Sequence, residues 1–320
     1  MDLDQYLQEN EEQIDKFIHR HFGSATGGLS LASAHLLVAG GKRLRPAVLT
    51  LAAGAIKKGA GADVLPAALA LELTHTFTLI HDDIMDGDTL RRGVPTVHTK
   101  WGNPTAILAG DVLFASAFEF LCLADASPES KVRAISILAK ASVEICQGQF
   151  LDMSFETRDD VTDGEYLEMV RKKTGVLYAA AAAIGGTLAG GSSRVVDALT
   201  NYGIYTGMAF QIQDDLIDII ADAGESGKDR GSDIREGKQT LISIRAKEAG
   251  IDLAPYRNCS DPKEMDALLT TLKKSGVINS VLATASDLVA DGNRRLNTLP
   301  MSEERELLKA IGEFFISRGA

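Results

Sequence analysis

Cysteine is scarce in this 320-residue chain: Cys122, Cys146 and Cys259 are widely spaced, odd in number and form no CxxC pair. Neither a disulfide framework nor a zinc site is indicated, and a reducing compartment is the natural expectation. An excess of basic charge is also missing, since 33 Lys and Arg against 44 Asp and Glu leave a net charge of −11. Nucleic-acid binders need basic surface to displace counterions from phosphates, so that class is disfavoured and any phosphate site must be local. Long apolar runs are lacking too. The least polar stretch, Tyr178 to Gly191, holds fourteen residues with four glycines, too short to span a bilayer. The opening MDLDQYLQENEEQIDKF is acidic and amphipathic, unlike a secretory signal. A soluble, cytoplasmic protein without a membrane anchor is expected.

Two further absences bear on organisation. There is no repeat of domain-building period and no low-complexity linker. With 45% hydrophobic and 24% charged residues spread evenly, the composition favours a single domain over 1–320 although the length alone suggests two. Alternating strand patterns are not evident. Apolar spacing of three and four residues instead predicts helices over Ala47 to Ala55, Pro66 to Ile80, Thr105 to Leu123, Lys131 to Gln149, Gly175 to Leu188, Val195 to Ile220 and Lys263 to Leu296. The expected class is all-α. The small residues of YAAAAAIGG, Tyr178 to Gly186, suit close helix packing or an apolar cavity, close packing being the commoner outcome.

What stands out is carboxylate. LIHDDIMDGDTLRRG places Asp82, Asp83 and Asp86 at the end of an apolar helix, with Asp82 and Asp86 about 40° apart on one face. Like charges so placed repel, so something should compensate them. QIQDDLID sets Gln211, Asp214, Asp215 and Asp218 at i, i+3, i+4 and i+7 on a second, strongly apolar helix. A buried unpaired carboxylate is costly, and hard oxygen donors with room for water and phosphate suit Mg²⁺. Neither cluster has the turn glycine and terminal glutamate of a calcium loop. Two ordinary acidic faces salted by Lys and Arg remain the bland alternative, weakened by the repeated DDxxD spacing.

With GGKRLRP (Gly40 to Pro46), HDDIMDGDTLRRGVPTVH (His81 to His98), Lys173-Thr174, FQIQDDLID (Phe210 to Asp218) and GKDRGSDIREGKQT (Gly227 to Thr240) in the same order, the chain resembles the trans-isoprenyl diphosphate synthases, a family that includes farnesyl and geranylgeranyl diphosphate synthases. The resemblance implies an all-α bundle around a central cavity and head-to-tail condensation of isopentenyl diphosphate with an allylic diphosphate (dimethylallyl, geranyl or farnesyl) through an allylic cation. It implies three Mg²⁺ held by Asp82, Asp86 and Asp214, with Asp83, Asp215 and Asp218 in support. Arg91, Lys173, Lys228 and Lys238 would hold the allylic diphosphate, with Thr174 and Gln211 near the ionising carbon. Lys42, Arg45, His75 and Arg92 would hold isopentenyl diphosphate. His75 lies seven residues before Asp82, within about 20° of its face and roughly 10 Å below it. A homodimer is also implied. His81 and His98 are assigned structural roles.

Product length is read by the same resemblance from the residues before Asp82. Phe77 stands five before it, with the smaller Thr78 and Thr74 at four and eight before. A lone aromatic there, with no insertion in DDIMD, is similar to the archaeal type of geranylgeranyl synthase and makes Phe77 the expected floor for a C20 product. By helix geometry alone Phe77 sits about 7.5 Å down and some 140° around from Asp82, a place ordinary core can also occupy. A C15 farnesyl synthase is the alternative. A terpene cyclase would not need GGKRLRP or the Arg91-Arg92 pair, and a non-catalytic partner subunit usually loses aspartates that are intact here.

Overall fold

The computed structural model describes residues 2–220, 231–259 and 261–317. Among them the helices run α1 Leu3–Phe22, α2 Gly28–Val38, α3 Leu44–Ile56, α4 Ala60–Asp63, α5 Leu65–Asp86, α6 Val97–Trp101, α7 Asn103–Cys122, α8 Pro128–Phe155 and α9 Asp163–Val170. They continue as α10 Val176–Leu188, α11 Ser193–Ile220, α12 Ser232–Glu236, α13 Leu241–Glu248, α14 Pro262–Lys274, α15 Val277–Arg295 and α16 Glu303–Ser317. The all-α class expected from the apolar periodicity is what forms.

Three local features depart from that reading. The pattern over Lys263 to Leu296 is broken at Gly276, whose φ of 83° is the left-handed conformation open to glycine, so α14 and α15 replace one long helix. A small antiparallel hairpin, β1 Leu90–Arg91 with β2 Val94–Pro95, pairs Leu90 with Pro95 and Arg91 with Val94. Two residues per strand are too few for alternation to show. Its turn is Arg92-Gly93, with φ of 53° and 75°, the double positive φ of a type I′ turn. Finally, Arg171–Gly175 is a π-turn between α9 and α10, a wide turn often found at functional sites.

The chain divides into two compact units. The first is Met1–Ser142, Ala180–Thr200 and Thr298–Leu308, and the second is Val143–Ala179, Asn201–Asn297 and Lys309–Ala320. In the first, α5 and α7 pack side by side, drawn together where a Cβ on Gly110 would lie 2.2 Å from His81 Nε2. Gly185 presses equally hard on α3, its missing Cβ only 2.2 Å from Leu49 O. Close packing is therefore what these small residues provide. Below them Arg43 forms a buried ion network, donating to Glu72 at 2.8 Å, Asp15 at 2.9 Å and Leu37 O at 2.7 Å. Burial works against its charge, and the two carboxylates more than offset it, holding the guanidinium above its ordinary value. In the second unit, Met208, Ile212, Leu216 and Ile219 of α11 form one side of a core with Leu241, Ile244, Leu268 and Val281. Tyr178, Phe210 and Phe315 stack beside it with ring centroids 4.9–5.5 Å apart.

Candidate active site

In the first unit the C-terminal turn of α5 carries the first aspartate cluster and ends at Gly87, whose φ of 71° caps the helix as a left-handed glycine does. Asp86 is exposed and Asp82 half-buried. Asp83 points the other way. It is fully buried, bound by Arg91 Nε, and its Oδ2 has no hydrogen-bond partner. Burial raises its pKa while Arg91 lowers it. Asp83 thus seats Arg91 of the hairpin, which also reaches Asp88 at 3.2 Å.

Several of the basic residues read as an anion pocket lie one level down. Arg92 projects from the type I′ turn and donates to Leu36 O at 3.0 Å and to Gly40 O. It passes over Gly41, where a Cβ would lie 3.0 Å from the guanidinium carbon. A non-glycine residue with positive φ is a strained placement that persists when the surroundings enforce it; Arg43, at φ 44°, is the second such arginine in this corner. His75 is half-buried. Burial, followed by the charges of Arg45, Arg92, Arg91 and Arg43, pushes its pKa well below the ordinary value. Four guanidinium groups acting on one histidine mark concentrated positive potential. Lys42 stands exposed at its edge.

The second unit holds the other half of the expected residues. Thr174 in the π-turn donates to Gln211 Oε1 at 2.9 Å, and Gln211 Nε2 donates to Asp215 Oδ1 at 2.9 Å. Tyr166 donates to Asp215 Oδ2 at 2.5 Å. Burial and the nearby Asp233 push Asp215 up to about 8, against the pull of Tyr166 and Gln211. Lys173 donates to Asp152 at 2.5 Å. Asp218 receives Ser232 Oγ at 2.7 Å and the backbone N–H groups of Ser232 and Asp233, so it anchors the start of α12. Lys238 sits 3.0 Å from Glu236 and 3.3 Å from Asp233. Burial lowers its pKa, but those carboxylates win and hold it above the ordinary value. Lys228 lies outside the described residues.

The π-turn has a visible cause. A Cβ on Gly148 of α8 would lie 2.3 Å from Lys173 N, and one on Gly175 would lie 3.2 Å from Ile204 O. Glycine at both contacts makes room for the wide turn that presents Lys173 and Thr174.

Arg43, Glu72, Asp152, Tyr166 and Asp233 were not anticipated. Each acts on a site residue distant in sequence, and only the QGQFLD run around Gln149 and Asp152, with two amides and a carboxylate close together, offered a signal.

Asp82 and Asp86 of the first unit offer only hard oxygen donors. Among the described residues no three acidic, histidine or cysteine side chains close into a ready-made metal cage. Mg²⁺ typically takes one or two carboxylates and completes its shell with water and substrate phosphates, so this sparse donor set fits an ion that arrives with a diphosphate.

Carboxylates at a helix end with an arginine cluster below them are an arrangement that suits an anionic phosphate ester carried with a divalent metal. Residues 28–268 match the polyprenyl synthetase family. Geranylgeranyl pyrophosphate synthase of the archaeon Geoglobus acetivorans is 49% identical over 295 residues, 91% of each chain. A solved structure of the synthetase from that organism superposes with a TM-score of 0.91 over 98% of this chain and 99% of that one, at 44% identity. Geranylfarnesyl diphosphate synthase of Natronomonas pharaonis is 48% identical, covering 90% of this chain and 89% of the other. Polyprenyl synthase of Caulobacter crescentus CB15, solved with calcium and isoprenyl diphosphate, superposes with a TM-score of 0.86 at 30% identity, covering 100% and 98%. The chain belongs to the polyprenyl synthetase family. It is a trans-prenyltransferase with the all-α isoprenoid synthase fold.

Proposed function

We propose that this enzyme condenses isopentenyl diphosphate with dimethylallyl, geranyl or farnesyl diphosphate and stops at geranylgeranyl diphosphate, C20, with residues 1–320 acting as one prenyltransferase domain. The observation that carries the reading is the pairing, in the first unit, of an acidic rim with a separate cationic pocket: Asp82 and Asp86 above, and His75 among Arg43, Arg45, Arg91 and Arg92 below. An acidic rim suits a diphosphate that comes with metal, and a cationic pocket suits one that comes without. A condensation of two diphosphates needs both.

In this reading Asp82, Asp86 and Asp214 hold Mg²⁺, three ions when substrate is bound, supported by Asp83, Asp215 and Asp218. Bound Mg²⁺ neutralises the departing diphosphate and so favours C–O cleavage. Arg91, Lys173, Lys228 and Lys238 bind that diphosphate, cationic donors being strongest toward phosphate oxygens. Lys42, Arg45, His75 and Arg92 orient isopentenyl diphosphate so that its double bond attacks the allylic carbon. Gln211 Oε1 already accepts from Thr174, which fixes both dipoles to stabilise positive charge without supplying a strong nucleophile.

Phe77 supports the C20 stop. It is 8% exposed and wedged between His81, with centroids 5.8 Å apart, and Phe114 at 4.9 Å, a rigid seat for a floor. The near-equal identity to a geranylgeranyl and a geranylfarnesyl synthase means overall similarity does not separate C20 from C25, so a few side chains must.

A homodimer fits the face of α7 turned away from α5, where Leu108 and Val112 are exposed; contiguous apolar surface marks association sites. By length and composition α7 is the one described helix that can cross a membrane. Its packing on α5 supports a cytoplasmic enzyme without an anchor.

Incubating the purified enzyme with labelled isopentenyl diphosphate, Mg²⁺ and each allylic starter, then reading product length, tests the whole proposal. C20 is expected. No prenyl product from any starter would overturn the function, and a C15 or C25 end product would overturn the floor assignment alone.

A further inference from the structure

A hairpin with two residues in each strand does not hold its own shape in water, since even longer isolated hairpins are marginal. Yet the hairpin of β1 and β2 carries Arg91 and Arg92, two of the arginines gathered around His75. Whatever fixes the hairpin therefore fixes them. Its base closes at the fully buried Thr96, whose Oγ1 donates to Asp88 O at 2.8 Å and whose N–H donates to Thr89 O at 3.0 Å. The β1 side is fixed by the buried carboxylate of Asp83, which holds Arg91. The turn and β2 lean on a different support, helix α2.

The last turn of α2 ends in carbonyls that the helix itself leaves without donors, and cations are favoured there. Arg92 donates to Leu36 O at 3.0 Å and Arg43 to Leu37 O at 2.7 Å. One residue earlier on the same helix, His35 reaches the hairpin directly, with Nε2 2.8 Å from Pro95 O. A carbonyl only accepts, so Nε2 carries the proton. The imidazole meets the indole of Trp101 edge-on, with centroids 5.0 Å apart and planes at 79°, which holds the ring in one orientation. Pro95 is the β2 residue paired with Leu90. Proline has no N–H, so this pair cannot exchange two ladder bonds, and the His35 donor supplies an external bond to it. His35 Nε2 and Leu36 O, neighbours on α2, thus hold β2 and the turn at two separate points.

We propose that His35 is a positioning residue for the isopentenyl diphosphate pocket: its bond to Pro95 O sets β2 on α2 and so places the Arg92 guanidinium in the pocket with Arg45 and His75. The proposal rests on the assignment of Arg92 to that diphosphate. Arg91 is seated separately by Asp83, so loss of the His35 bond should fall on one substrate more than on the other.

The test compares wild type with His35→Phe, which keeps an aromatic ring against Trp101 and removes the donor, and with His35→Gln, which keeps a donor at the reach of Nε2 and removes the ring. Arg92→Ala is the reference for the pocket itself. KM for isopentenyl diphosphate and KM for geranyl diphosphate are measured with Mg²⁺, each with the other substrate saturating. Calorimetry gives the affinity for isopentenyl diphosphate alone, and circular dichroism verifies folding. His35→Phe should raise KM for isopentenyl diphosphate about 5- to 10-fold, the change that one hydrogen bond is worth. Calorimetric binding should weaken by the same factor, while KM for geranyl diphosphate and kcat stay close to wild type. His35→Gln should bring KM for isopentenyl diphosphate back near wild type. A rise shared equally by both substrates, or one that His35→Gln does not relieve, overturns the proposal, because loosened packing would produce it without the donor. If Arg92→Ala raises KM for isopentenyl diphosphate and His35→Phe does not, the positioning role fails while the pocket stands. If Arg92→Ala leaves that KM unchanged, the assignment of Arg92 fails and the proposal fails with it. Should His35→Phe not fold, His35→Leu takes its place; failure of both to fold would make the contact a structural one and overturn the positioning role.

Discussion

Replacing Arg43 with alanine should be among the most destabilising single changes in the first unit. The Arg43 side chain is 1% exposed and its partner Glu72 3% exposed, at 2.8 Å. Removing the guanidinium leaves the Glu72 carboxylate buried without its cation, a loss of about 3–5 kcal/mol when a buried pair is broken from one side. Leu37 O also loses its donor, about 1 kcal/mol more. The Asp15 contact adds little because Asp15 is about one-third exposed and can return to water. Urea unfolding of Arg43→Ala should therefore lose about 4–6 kcal/mol, which corresponds to a fall of roughly 10 °C or more in Tm at this chain size. Removing both charges together, as Arg43→Met/Glu72→Leu, should recover most of the loss, since an apolar pair of similar volume can match a buried ion pair. An Arg43→Ala loss below about 1 kcal/mol, or a double variant no more stable than the single, would refute the reasoning by showing that solvent reaches Glu72.

Other outcomes follow from the site. Asp82→Ala or Asp86→Ala should lower kcat/KM with Mg²⁺ by at least about 10²-fold; metal-free thermal stability should hold or rise slightly, because a like-charge i,i+4 pair is relieved. Gly148→Ala should push a Cβ against Lys173 N, 2.3 Å away, and the resulting shift of about 1 Å at Lys173 and Thr174 should cost about 10²-fold in turnover. Gly164→Ala, whose added Cβ has open space, is the matched control that should leave turnover intact. His75 gives a pH dependence. Its folded pKa is depressed, first by burial and then by the arginines, so below the unfolded value of about 6.5 the unfolded chain binds a proton that the folded protein refuses. Stability of the substrate-free enzyme should fall between about pH 6.5 and 5, and His75→Gln should flatten that limb; an unchanged slope would show that His75 does not drive it.

The sequence revealed those parts of the site that depend on spacing along one helix. Asp82 and Asp86 at i, i+4, and Gln211 with Asp214 and Asp215, stand on faces that three- and four-residue periodicity defines. Helices α5, α7, α8 and α11 were legible for the same reason, each being long and apolar on a regular stripe. What escaped needed a partner from elsewhere in the chain. Asp83 reads like its neighbours until the hairpin brings Arg91 to it, and Tyr166 carries no mark that its hydroxyl ends on Asp215, 49 residues away. The split between α14 and α15 escaped because apolar spacing continues through Gly276 and only its φ interrupts the helix. The hairpin escaped because its information lies in one Arg92-Gly93 turn.

The wide turn at Arg171–Gly175 also constrains how this chain can change. A helix that holds one residue more than its regular turns accommodate has to store the surplus at a particular address, and here that address carries Lys173 and Thr174. Deleting a residue from it and inserting one a turn later would conserve length and composition, yet it would rotate these two side chains by about 100°. Residues before and after the segment would be untouched. Comparison with any other chain by length alone is therefore blind here; the register has to be read from which residue faces Gly148.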